Sequence, residues 1–265
     1  MRRIVHISDL HFGRINPALI EPLLARIVGL NPTVVAVSGD LTQRATIEQF
    51  EAARELLRQI PFPQVVVPGN HDISFWNIYR RFARPLERYR RYINAEVEPN
   101  YFDDKIFVLG VNTARSLAWK EGRISERQIA RLRDHFSAAG PYVFKVLVAH
   151  HPFVPPEGED NRAAVGRAEL AIAALEHCGA DLILAGHLHR GYSRQTASSG
   201  KHSILVAQSD STLSDRARGE GNSFNVVDVE PGAINIAVHV WEPERGVFIA
   251  RPPLRYEKRG EWRRI

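Results

Sequence analysis

Residues 65–72 read VVVPGNHD. Three β-branched side chains run into Pro68 and Gly69, and Asn70, His71 and Asp72 stand side by side behind them. A short β-branched run closed by turn residues is the pattern of a strand buried on both faces. Polar groups delivered at the carboxyl end of such a strand sit where open α/β sheets bind ligands. Asn and Asp also suit turns, so the triplet gains meaning only if other strands end in the same way. They do. Upstream, TVVAVS (33–38) ends in Gly39-Asp40, and RIVHIS (3–8) ends in Asp9-Leu10-His11. Downstream, VFKVLVAHHP (143–152) ends in His150 and His151, and DLILAGHLH (181–189) ends in His187 and His189.

Helices are predicted between these strands. Leu19, Ile20, Leu23, Leu24, Ile27 and Val28 fall at helical spacing, as do Ile47, Phe50, Leu57 and Ile60 behind a capping pair of Thr46 and Gln49. Ser125 and Gln128 cap a further helix through Ile129, Leu132 and Phe136, and Gly179 terminates one over residues 167–178. KIFVLGVN (105–112) adds a strand. The alternation of strands and helices predicts an α/β fold. The last quarter differs: SILVAQS, SFNVVDVE and INIAVHVWE follow one another with turn residues and no helical pattern. They are expected to build a second sheet within one domain of residues 1–265, rather than a separate β domain.

The chain carries a net charge of +5, unevenly spread. Residues 80–91 hold six arginines and one glutamate, and residues 251–265 hold six basic and two acidic residues, so the remainder is net acidic. Cys178 is the one cysteine, which excludes an intrachain disulfide and a thiolate metal site. The opening MRRIVHISDLHF lacks the apolar run of a signal peptide, and no stretch approaches 18 uninterrupted apolar residues. The expected compartment is the cytoplasm.

Collected together, the strand ends offer Asp9, His11, Asp40, Asn70, His71, His150, His187 and His189. Carboxylate oxygen with imidazole nitrogen is a ligand set for Mn²⁺, Fe or Zn²⁺. In extended chain, residues i and i+2 face the same side, so Asp9 with His11, and His187 with His189, can each converge. His6, His135, His177, His202 and His239 lie inside strands or helices and read as structural.

In this order, D-x-H, G-D, G-N-H-D, H and G-H-x-H, the motifs resemble those of the calcineurin-like metallophosphoesterases. The resemblance spans residues 9–189. It implies a four-layer α/β/β/α sandwich of two mixed sheets and a dinuclear centre of two divalent or trivalent ions. By that resemblance Asp9, His11, Asp40 and His189 would hold one metal. Asp40, Asn70, His150 and His187 would hold the other, Asp40 bridging. His150 rather than His151 is the ligand because the family's His-x-Pro pattern begins there, leaving His151 to face substrate or to pack. Metal coordination lowers the pKa of water to about 7, so the expected nucleophile is a hydroxide shared by the metals. His71, beside a ligand but not one, is expected to assist the leaving oxygen. Asp72 is expected either to orient His71 or to cap the next helix.

ISDLHFG, SGDLTQRA, VPGNHD, NTARS and GRIS are most similar to the bacterial group that includes cyclic-nucleotide phosphodiesterases, implying a small anionic diester as substrate. Residues 73–100 interleave Phe75, Trp76, Tyr79, Phe82, Tyr89 and Tyr92 with arginines. They are expected to form a basic, lid-like insertion in which Arg80 and Arg84 contact substrate, or to contact an acidic membrane. The bland alternative is packed aromatics with solvated arginines. A basic lid would also suit a lipid diphosphate, as in the UDP-diacylglucosamine pyrophosphatases. A nuclease ranks below both, and a non-catalytic scaffold last, because no metal ligand is missing. Residues 251–265 are expected to form a basic tail, either ordered along a sheet edge or free.

Overall fold

The computed structural model describes residues 1–74, 77–117, 120–158, 164–196, 203–215 and 221–265. Strands and α-helices are numbered in chain order. The first sheet runs β14 (Glu261–Arg264), β13 (Leu254–Arg259), β11 (Ala233–Glu242), β10 (Ser223–Glu230), β1 (Arg2–Ile7), β2 (Val34–Ser38), β3 (Gln64–Val67), with β12 (Val247–Ala250) also on β11. The second runs β4 (Asn100–Phe102), β5 (Ile106–Gly110), β6 (Phe144–Val148), β7 (Leu182–Ala185), β9 (Leu205–Gln208), β8 (Tyr192–Gln195). Both sheets are mixed: β1, β2 and β3 are parallel, as are β5, β6, β7 and β9, and antiparallel strands flank each set.

The period of two along each strand divides the side chains between layers. Ile4, Val34, Ala36, Val65 and Val67 face inward, against Ile106, Val108, Val146, Val148, Leu182 and Leu184 of the opposing sheet. Val5, Ile7, Val35, Val37 and Val66 face outward, under α1 (Ile20–Leu30), α2 (Ile47–Arg58) and α4 (Glu87–Tyr92). Phe107, Leu109, Leu147 and Ile183 do the same beneath α5 (Glu126–Ala138) and α6 (Ala168–His177). The result is the α/β/β/α sandwich. β2 is buried along all five residues, which is why its sequence is continuous rather than alternating. Each such aliphatic side chain contributes roughly 1.5–3 kcal/mol.

Two details depart from the sequence reading, and the C-terminal tail takes the ordered one of its two alternatives. The C-terminal strands do not form a sheet of their own. β9 pairs in parallel with β7, whereas β10 crosses to the other layer and pairs antiparallel with β1. Residues 251–265 are largely strand: β13 and β14 close that edge of the first sheet. Ile47 is 38% exposed, and the buried face of α2 is instead Phe50, Ala53, Leu56 and Leu57.

Candidate metal centre

β1, β2 and β3 of one sheet and β6 and β7 of the other release their chains at neighbouring carboxyl ends. The loops are laced together by backbone bonds. Asp9 N–H donates to Gly39 O (3.1 Å), His11 N–H to Asp40 O (2.9 Å), and Gly186 N–H to His150 O (3.0 Å). Among the described residues eight non-glycine residues have positive φ, and five of them are Asp9 (52°), His11 (51°), Asp40 (51°), His187 (79°) and His189 (51°). That region is costly for side-chain-bearing residues, and such strain concentrates at functional sites. Two glycines permit the close approach. A Cβ on Gly69 would lie 2.1 Å from Asp40 Oδ1, and one on Gly186 would lie 1.9 Å from Ser8 Oγ.

The potential donors converge. In each of four sets, Asp9/His11/His189, Asp9/Asp40/His150, His11/Asp40/His71 and His150/His151/His187, the ligand atoms lie within 4.8 Å of one another. Asp9 Oδ1 is 3.5 Å from His11 Nε2 and 3.8 Å from His189 Nε2. Asp40 Oδ2 is 3.7 Å from His11 Nε2 and 3.4 Å from His150 Nε2. These separations are too long for good hydrogen bonds and suit several ligands disposed about a shared ion.

The outer atoms of the same side chains are anchored. Ser8 Oγ donates to Asp9 Oδ2 (2.6 Å), which also accepts from His187 N–H (2.9 Å). Asp40 Oδ1 accepts from His71 N–H (2.8 Å), and His150 Nδ1 pairs with Ser38 O (2.8 Å). His189 Nδ1 pairs with Ser211 Oγ. Asp9 Oδ1 and both nitrogens of His11 are buried with no hydrogen-bond partner. Orphaned atoms at that depth cost free energy unless something satisfies them. A cation bound by oxygen and nitrogen would satisfy them, so the residues present fit a metal.

The electrostatics agree. Burial alone would raise the Asp9 and Asp40 carboxyls, but the surrounding histidines hold both well below the ordinary range. His150 is opposed by burial yet raised to about 9, chiefly by Asp40. His187 is lowered to about 4 by burial and by His150.

Asn70 Oδ1 lies 3.0 Å from His150 Nε2, so Asn70 and His150 share one side of the cluster with Asp40. His151 stands in the same cluster as His150 and His187, with its Nε2 buried and without a hydrogen-bond partner. Its Nδ1 pairs with Thr113 Oγ1 (2.8 Å), and its ring packs 4.6 Å from that of His187. Asp72 does not orient the His71 ring, because its carboxylate accepts from the backbone of Gly69, Leu41 and Thr42 and from the Thr42 hydroxyl. It caps its own 3₁₀ turn, Asn70–Asp72, and fastens it to the β2 loop. The His71 ring is held by Gln43, whose carbonyl lies 2.9 Å from Nδ1. Ser8, Ser38, Gln43 and Ser211 were not singled out from sequence; the first two adjoin motif residues.

Arg80 and Arg84 of the arginine segment are engaged elsewhere, within that segment. Both guanidinium groups pair with Glu87, at 3.0 and 2.9 Å. Short helix α3 (Ile78–Ala83) exposes Ile78, Tyr79 and Phe82, while α4 buries Tyr89 completely and donates its hydroxyl to Val66 O (2.8 Å). Phe75, Trp76 and His202 lie outside the described residues. No helix among the described residues is long and apolar enough to cross a membrane.

Comparison with known proteins matches residues 2–191 to the calcineurin-like phosphoesterase family model. A probable cyclic nucleotide phosphodiesterase of Ruthia magnifica subsp. Calyptogena magnifica is 22% identical over 196 residues, 70% of this chain and 77% of that protein. The glycerophosphodiester phosphodiesterase GpdQ of Enterobacter lignolyticus is 26% identical over 165 residues, 57% of each chain. Among solved structures, a dimetal phosphatase from Danio rerio superposes with a TM-score of 0.67 at 11% identity, covering 94% of this chain and 98% of that one.

Proposed function

Because the chain belongs to the calcineurin-like phosphoesterase family and is a hydrolase of phosphate esters, we propose that it cleaves a small anionic phosphodiester, a cyclic nucleotide or a diester of similar size. The observation that carries this reading is the set of inward atoms left without hydrogen bonds, Asp9 Oδ1 and His11 Nε2, with Asp40 Oδ2 between His11 and His150. Asp9, His11, Asp40 and His189 would hold one ion; Asp40, Asn70, His150 and His187 would hold the second. Bound there, Mn²⁺, Fe or Zn²⁺ would supply positive charge for the phosphate and a nucleophilic hydroxide at neutral pH.

The remaining chemistry belongs to side chains. The Gln43 carbonyl accepts from His71 Nδ1–H; as an imidazolium His71 would carry a second proton on Nε2, which passes to the departing alkoxide and leaves the ring neutral. Asp72, tied to three backbone N–H groups and one hydroxyl, keeps the turn bearing Asn70 and His71 against the β2 loop. Buried Thr113 fixes His151 next to His187, where it excludes water and supports the second set of ligands.

The test is hydrolysis of bis(p-nitrophenyl) phosphate against p-nitrophenyl phosphate, using metal-free enzyme titrated with Mn²⁺. The reading expects the diester to be preferred, turnover to depend on Mn²⁺ and Asp40→Ala to abolish it. Preference for the monoester, or turnover indifferent to metal, would overturn it. A second reading, hydrolysis of a lipid diphosphate, draws on Ile78, Tyr79 and Phe82, exposed by 72, 68 and 54% a few residues beyond His71. Cleavage of a detergent-dispersed lipid diphosphate that falls in an Ile78→Ser/Phe82→Ser variant, with the nitrophenyl diester unaffected, would favour it.

A further inference from the structure

β9 belongs to the second sheet and β10 to the first, so the chain leaving Gln208 must cross from one layer to the other over the strand ends that carry the metal ligands. The described start of that crossing, residues 209–214, is QSDSTLS without its first residue, and its polar members Ser209, Asp210, Ser211, Thr212 and Ser214 are all buried to within 2%. So much buried polarity needs partners, and the partners are the first metal loop. Thr212 N–H donates to Ser8 O (3.0 Å), and Ser8 N–H donates to Thr212 Oγ1 (3.1 Å). Asn16 N–H donates to Leu213 O (2.9 Å). Ser211 is locked within this lacing: its N–H donates to Asp210 Oδ1 (2.7 Å), and its carbonyl accepts from Ser223 N–H (3.2 Å). Its hydroxyl meets His189 Nδ1.

His189 is less deeply buried than the other ligands of its ion. Its side chain is 15% exposed, while those of Asp9, His11 and His150 are wholly buried. Its backbone sits at φ 51°. An imidazole can bind metal through either nitrogen, and the hydrogen bond made by the other nitrogen selects which. With Nδ1–H donating to Ser211 Oγ, the lone pair of Nε2 is the one presented toward Asp9.

We infer that Ser211 is a positioning residue for the ion held by Asp9, His11 and His189, fixing the tautomer and ring plane of His189 from a loop that lies outside the matched family region, residues 2–191. This rests on the metal-centre reading above. The consequence is selective: Ser211 governs one of two metal affinities, and it does so without touching substrate.

The experiment titrates metal-free wild type, Ser211→Ala and Thr212→Val with Mn²⁺ by calorimetry, with thermal melts of each. Wild type should bind two ions. Ser211→Ala should weaken one of them by about 10–100-fold, leave the other unchanged, and recover turnover to within about threefold of wild type at saturating Mn²⁺. Thr212→Val, which removes the hydroxyl that accepts from Ser8 N–H and donates to Ser223 O and leaves His189 alone, should lower the melting temperature and keep both affinities. Wild-type affinities in Ser211→Ala overturn the inference, as does equal weakening of both ions. So does Thr212→Val weakening the same ion as much, which would assign the effect to the loop and not the hydroxyl. Wild type that binds no Mn²⁺ removes the metal-centre reading itself and the inference with it.

Discussion

The strand-end cluster and the segment 77–92 are both dense in groups that can carry chemistry, and they use them in opposite ways. At the strand ends, carboxylates and imidazoles are buried, most are anchored through an outer atom, and Asp9 Oδ1 and both nitrogens of His11 are left with no hydrogen-bond partner. In the arginine segment four of the six guanidinium groups bond to nearby protein oxygens: Arg80 and Arg84 share Glu87, Arg88 donates to Ala45 O, and Arg90 donates to Ala95 O. Tyr89 and Leu86 join the apolar core beneath. The difference teaches that density of charge does not make a site. Unsatisfied polarity in a buried, strained and convergent setting does.

If the contrast holds, perturbing the two regions should give effects of very different size. After the loss of the Asp40 bridge, the largest is expected at His71. His71→Ala should lose on the order of 10²–10⁴-fold in kcat while retaining metal content, read by steady-state kinetics alongside elemental analysis. A variant with near-normal turnover would remove His71 from the chemistry. A smaller effect should come from the layer just beneath the site. His6, fully buried against Ser38, has its pKa lowered to about 3 by burial. A group depressed in the folded state leaves stability intact above its unfolded pKa and withdraws it as pH falls below that value. Between pH 6.5 and 5, His6 should therefore cost about 2 kcal/mol, and denaturant melts of His6→Asn should show a flatter acid limb than wild type. An equally steep limb would assign the loss to other groups.

In the arginine segment the expected effects shrink further and move from catalysis to stability. Tyr89→Phe leaves Val66 O without its donor and should lower stability by about 1 kcal/mol, with kcat unchanged. The smallest effect should follow Arg80→Ala/Arg84→Ala. Partly exposed pairs contribute little, so kcat/KM for bis(p-nitrophenyl) phosphate should stay within about threefold. A loss of 100-fold would mean that these arginines leave Glu87 to meet substrate, and the contrast would break there.

Much of this was legible in the sequence because it is local. Strand, turn and ligand lie within a few residues in VVVPGNHD and its counterparts, so the strand ends and the groups they deliver could be read directly. Ser125 and Gln128 form both halves of their capping box, again within three residues. What could not be read depends on distant partners. Gln49 gives Thr46 only its N–H, because its side-chain oxygen instead accepts from Arg44 N–H. The division of β9 and β10 between sheets is set by which edge each finds, and three similar apolar runs do not encode it. Ser211 reaches His189 only because that crossing happens above the site. A single glutamate among six arginines looks outnumbered in sequence, yet in space Glu87 takes two of them.

The most direct test of the central claim is electron paramagnetic resonance of the metal-free chain reconstituted with Mn²⁺, paired with a count of bound metal. A centre in which Asp40 joins two ligand sets predicts two Mn²⁺ per chain and an exchange-coupled spectrum that loses its coupling in Asp40→Ala. One ion per chain, or two with the spectrum of isolated Mn²⁺, would contradict it.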